Sequence, residues 1–183
     1  TVDKYCGLHV HVHVGDMTNH GRANVIRMWE QLHPAIEKLV VRSRRDNQNH
    51  FCVHPSEDEF DRWADRFENG VVCRADRYRS LNVASYPKYG TFEVRLHHGT
   101  LAGKKIEGWV MLLMGLFDLA KDNEGFDFIQ AELGQGLTNA QDSVGDSWLS
   151  PARMLEGLVG KSKLTQETGD YLLMRAKKLE NIR

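Results

Sequence analysis

The chain has 183 residues, 41% hydrophobic and 27% charged, which suits one globular domain able to bury roughly 70% of its unfolded surface. Lys plus Arg number 24 against 25 Asp plus Glu, so charge gives no reason to expect attraction to nucleic acid or to an anionic membrane. The longest apolar run, Trp109 to Leu119, is interrupted by Gly115 and Asp118 and is too short to span a bilayer.

The opening residues do not read as a signal peptide, and Cys6, Cys52 and Cys73 include no Cys-x-x-Cys pair, so reduced thiols in a cytoplasmic setting are expected. The sequence starts at Thr1 without a methionine, directly before its first ordered stretch, from which a processed chain or an excised portion of a longer one is expected.

That first stretch, Cys6 to Gly15, alternates histidine with valine at the period of a half-buried strand. Side chains two apart share a face, so His9, His11 and His13 point the same way, roughly 7 Å between neighbours. A solvated edge is the bland explanation. The chemical one is that such imidazoles turn towards a bound ion or a substrate.

After a polar turn at Asp16 to Gly21, apolar residues from Val25 to Val40 recur at three- and four-residue steps, an amphipathic helix that Pro34 should kink or divide. Arg42, Arg44 and Arg45 follow it, either as cations favoured at a helix C-terminus or as an anion clamp. Phe51 to Pro55 reads as a linker, and Ser56-Glu57-Asp58-Glu59 as a capping box that starts a helix burying Phe60, Trp63, Ala64 and Phe67. Asn69-Gly70 ends that helix. Trp29 or Trp63 could instead serve an interface between copies.

Beyond a turn at Tyr86 to Gly90, Thr91 to His97 alternates again. Phe92, Val94 and Leu96 are expected in the core, with Thr91, Glu93, Arg95 and His97 together on the opposite face. Ile106 to Ala120 reads as a strongly buried helix. Residues 121–149 read as a loop or lid with one short helix, and 150–183 as two C-terminal helices, the first capped by Ser150 with Pro151 in its first turn. All of this belongs to one domain, 1–183, with its core in 1–120.

The stretches Cys6-Gly7-Leu8-His9-Val10-His11-Val12 and Tyr89 to Leu101, in that order and followed by the apolar helix from Lys105, resemble the amidoligase family. These are carboxylate–amine ligases with a glutamine synthetase-like fold, related to γ-glutamylcysteine ligases. The likeness covers roughly the first two-thirds of the chain and extends to Arg44-Arg45 and to Arg77 through Asn82.

The resemblance implies an α+β fold: a glutamine synthetase-like antiparallel sheet curved around the site, packed with helices, and here lacking an N-terminal strand. It implies ATP and Mg²⁺ (or Mn²⁺) as cofactors and an amide bond, peptide or isopeptide, formed through an acyl phosphate. Small-molecule or peptide carboxylates and amines would be the substrates, with no nucleic acid or membrane partner. Carried over, His9 and Glu93 are metal ligands, His11 contacts substrate or phosphate, and Arg95 stabilises the transferring phosphoryl group. Arg44, Arg45 and Arg79 are candidates for the nucleotide phosphates. These residue types suit the chemistry independently, because phosphoryl transfer needs alignment and charge neutralisation more than covalent help.

Relatives carry an upstream Gly-x-Glu-x-Glu strand whose glutamates complete the metal shell, so an upstream segment or a second copy is the partner expected to complete this one. The third histidine leaves the register open. His9 and His11 are favoured by the Cys6-Gly7-Leu8 lead, His11 and His13 by Gly15 just after. Two alternatives stand beside the ligase. A zinc metallohydrolase would use His9, His11 and His13, since imidazoles two apart on a strand are a zinc-ligand spacing. A truncated domain that keeps the fold would bind or assemble without catalysing.

Overall fold

Alternation of valine with histidine in the opening stretch gives the strand β1, Gly7–His13, with its valines packed against the core. In the computed structural model, which describes residues 6–133 and 151–180, β1 is an edge of a three-stranded antiparallel sheet. The centre is β3, Thr91–His98, and the far side is the short β2, Leu81–Asn82. Phe92, Val94 and Leu96 are buried as expected.

The register is where the sequence-based expectation and the structure part. His13 faces Thr91 and His11 faces Glu93, but Leu8 stands opposite His97 and Val10 opposite Val94. The central strand therefore spends two residues, Arg95 and Leu96, where β1 spends only His9, a β-bulge. One extra residue reverses the faces beyond it. His97 consequently leaves the polar row expected for it and is buried beside Trp109, ring centroids 5.0 Å apart, while His98 comes opposite Gly7.

Helix α1, Asn19–Ile36, starts at the Thr18 hydroxyl, which accepts from the Gly21 N–H. It is not divided at Pro34 but runs two residues further into a 3₁₀ turn, Glu37–Leu39. Proline removes one ladder bond there, close to a terminus where the last carbonyls lack helical partners anyway. Helix α2, Glu57–Glu68, carries the expected capping box, in which Ser56 and Glu59 satisfy each other's backbone N–H groups. Trp29 and Trp63 are fully buried between α1 and α2, in the core and away from any surface. Burying side chains of this size contributes roughly 1.5–3 kcal/mol each.

A one-turn helix α3, Tyr86–Tyr89, ends at Gly90 in the left-handed region at φ 65°, where a side chain would be strained. The Gly90 carbonyl accepts from Val14 N–H and so ties the end of β1 to the start of β3. Helix α4, Gly103–Ala120, begins three residues before the expected start and packs against β1. The expected loop at 121–149 is helical at its beginning, with α5, Asn123–Phe128, and a π-helical turn, Ile129–Leu133. Its remainder from 134, with the Ser150 cap, lies outside the described residues.

Helices α6, Pro151–Gly160, and α7, Gln166–Glu180, pack on each other and on α4. The architecture is α+β, with seven α-helices among the described residues and none long and apolar enough to cross a membrane.

Candidate active site

Glu93 is the focus of the sheet's polar face. As the middle strand's residue it has a neighbour on each side, His11 on β1 and Asn82 on β2. Its Oε1 lies 3.0 Å from His9 Nδ1 and 3.8 Å from His11 Nε2, and accepts from Arg95 Nη1 at 2.7 Å. The Asn82 side-chain amide donates to Oε2 at 2.6 Å. The carboxylate is only 9% exposed. Burial alone pushes its pKa up, but the hydrogen bonds from His9 and Asn82 and the charge of Arg95 outweigh that and hold it down at about 2.

The surrounding groups are fixed in turn. Gly7 gives His9 its room, because a Cβ there would come within 2.7 Å of His9 Nε2. Arg95 donates through Nε to the Phe51 carbonyl at 3.1 Å and lies over the Tyr78 ring. His11 Nδ1 is 2.9 Å from the Thr91 hydroxyl, and its ring meets Tyr89 edge-on at 5.9 Å. The His11 side chain nevertheless remains 43% exposed, with Nε2 on the side that faces Glu93. Of the supporting residues, Asn82, Thr91 and Phe51 were not singled out for a site from sequence. Only cross-strand register could have pointed to Asn82, which sits on a two-residue strand.

The other candidates lie elsewhere. His13 shares the face but turns towards Asp16, at 3.9 Å, and over the bare backbone of Gly15 and Gly90. His9, His11 and His13 thus have no common focus. Arg45 donates to the carbonyls of Val40 and Lys38, closing the turn after α1 as a cation at a helix C-terminus does. Arg79 pairs with Glu59 at 3.0 Å and Asp76 at 3.2 Å, bracing the start of α2. Arg44 is the one basic candidate beside the site: its guanidinium adjoins Gly7 and donates to the Cys6 carbonyl at 2.9 Å.

Among the described residues no three His, Cys, Asp or Glu side chains are arranged to hold a metal ion. A hard divalent ion takes six or more oxygen ligands. Here there is one carboxylate, with both oxygens already accepting hydrogen bonds, and two imidazoles beside it. The donor set fits one side of a metal shell.

The N-terminal part of the chain, residues 1–117, matches the model of the family described as "Putative amidoligase enzyme". No curated protein and no solved structure matches the chain. The match spans well over half of the sequence and contains β1, Asn82, β3 and most of α4, so the chain belongs to the amidoligase family.

Proposed function

We propose that the chain is an ATP-dependent carboxylate–amine ligase of glutamine synthetase-like fold, or the larger portion of one. The observation that carries this reading is the convergence of His9, His11 and Arg95 on one buried carboxylate, Glu93, in an accessible polar sheet face of an amidoligase-family chain.

The reaction has two steps. A substrate carboxylate oxygen attacks the γ-phosphorus of ATP and ADP leaves. The amine nitrogen then attacks the acyl carbon, phosphate departs with the former carboxylate oxygen, and the amine gives up a proton. Arg95 already has its Nε on Phe51 and one terminal nitrogen on Glu93, so its remaining N–H groups can be presented to phosphoryl oxygens without further ordering. His11, steadied through Nδ1 by Thr91, offers Nε2 to substrate or phosphate. Glu93 and His9 would hold a Mg²⁺ or Mn²⁺ ion from one side, with further oxygen ligands coming from the nucleotide and from a segment or copy that completes the shell. A bound ion supplies charge neutralisation across the phosphates.

The test is a screen for ADP release over carboxylates and amines with Mg²⁺ or Mn²⁺, followed by isotope tracing with an ¹⁸O-labelled carboxylate. Release should require both substrates and transfer one labelled oxygen to phosphate. Release with no labelled phosphate sinks the acyl-phosphate route. One observation favours a second reading, a binding or assembly domain: Arg95 already neutralises Glu93. That reading predicts no ADP release with any amine.

A further inference from the structure

Beyond His13, at the end of β1 away from Cys6, the surface opens into a cavity of about 450 Å³ between the strand, the turn that follows it and the last turns of α4. Its floor is apolar. Val12 and Met17 line one side, Met114 and Phe117 of α4 the other. Phe117 is buried, but Met114 is 54% exposed, which leaves part of the floor open to solvent.

The rim carries charge of both signs, unevenly answered. Asp118 binds two lysines, Lys121 on the rim and Lys163 outside it. Asp16, also on the rim, forms no ion pair with a lysine or arginine among the described residues. His13 Nε2, which faces it, is 3.9 Å away, outside hydrogen-bond reach. Asp118 first, then Asp122 and Asp16, raise the Lys121 pKa, so the field is negative even where a lysine stands. Asp16, Asp118 and Asp122 thus outnumber Lys121 and Lys163. Both lysines are committed to Asp118, so an anionic ligand finds no uncommitted cation among these rim residues, whereas a cationic one finds Asp16.

We propose that this cavity holds the alkylammonium end of the amine substrate, its cation on Asp16 and its methylenes on Val12, Met17, Met114 and Phe117. An ammonium supplies the donors that Asp16 lacks, and a hydrocarbon stem covers apolar surface that water now wets. The role of the other end of the molecule rests on the ligase reading. His13 and His11 are one strand repeat apart, roughly 7 Å, and His11 stands opposite Glu93. An amine held at Asp16 therefore lies on the order of 10 Å from the Glu93 site, too far to attack an acyl phosphate there. The nucleophile must be a second nitrogen on the same molecule, which makes the substrate a linear diamine and not a simple alkylamine.

Calorimetric titration with hexylamine, hexanol and hexanoate, equal in length and different in charge, tests the cavity without turnover. Hexylamine should bind most tightly, and Asp16→Asn should weaken it about tenfold, the scale of one charge-assisted hydrogen bond. Met114→Lys, which sets a cation on an exposed part of the floor, should weaken it by a similar factor. Thermal melting reports that both variants stay folded. In the ADP-release assay, hexamethylenediamine should show a KM about tenfold below that of hexylamine at similar kcat, and Asp16→Asn should erase the difference. Equal or tighter binding of hexanol or hexanoate, or unchanged hexylamine affinity in Asp16→Asn, overturns the site. ADP release with ammonia or monoamines and no diamine advantage that depends on Asp16 leaves the ligase reading standing and overturns the diamine assignment. If no amine elicits ADP release, the ligase reading and the substrate role fall together, and selective hexylamine binding still upholds the cation site.

Discussion

Glu93 and the His33–His54 pair are both buried ionisable clusters, and they end in opposite charge states. Around Glu93 two imidazoles, an amide and a guanidinium gather, and the carboxylate stays ionised with its pKa at about 2. His33 of α1 and His54 of the linker before α2 stack with ring centroids 3.7 Å apart, and His33 Nε2 and His54 Nδ1 have no partner. Burial, and then the neighbouring His54, bring His33 down to about 3, while burial brings His54 to about 4. Glu37, 4.0 Å from His33 Nδ1, is itself pushed towards its neutral form by burial and does not compensate. Burial removes a charge unless specific donors or counter-ions are built around it. The fold builds them at one site and omits them at the other, so Glu93 keeps its charge where His33 and His54 lose theirs.

The largest expected effect comes from breaking the built site. Glu93→Ala should end metal-dependent ADP release and cost about 3 kcal/mol of stability, because Arg95 is left largely buried without its anion. Assays of turnover together with urea denaturation check this, and undiminished turnover would remove Glu93 from the chemistry.

The pH dependence separates the two clusters. A histidine whose folded pKa is lowered weakens the fold as pH drops below the unfolded value of 6.5, because the unfolded chain takes the proton first. On the order of 2 kcal/mol should therefore be lost between pH 7 and pH 5 through His33. The depressed Glu93 carboxylate acts later, its contribution disappearing only as pH falls from about 4.5 towards about 2. His33→Phe, which keeps a ring in the stack, should make the pH 7 to 5 decline shallower by His33's share, the lowered pKa values of His54, His97 and His98 keeping the rest, and leave the later one. An unaltered slope in that variant would show that His33 is not the group that titrates.

The smallest effect is expected at His13, which turns away from Glu93. His13→Ala should keep turnover within about twofold of the parent. A loss comparable to that of His9→Ala would instead move the working pair to His11 and His13.

Much of this arrangement is legible in the residue order. Alternation in 7–13 and 91–96 assigns His9, His11, Glu93 and Arg95 to polar faces, because the side-chain period of a strand is a local property of the backbone. The capping box at Ser56 and Glu59 is equally local. Membership of the amidoligase family follows from the same two stretches.

Partnership was decided by the tertiary structure. The bulge opposite His9 sends His97 into the core and aligns His98 with Gly7, and a one-residue offset between strands far apart in sequence has no signature in either strand alone. Arg44, Arg45 and Arg79 look alike as basic residues. One ends beside the sheet, one on helix-end carbonyls and one on Glu59, because a guanidinium bonds to whatever acceptors the returning chain places within its reach.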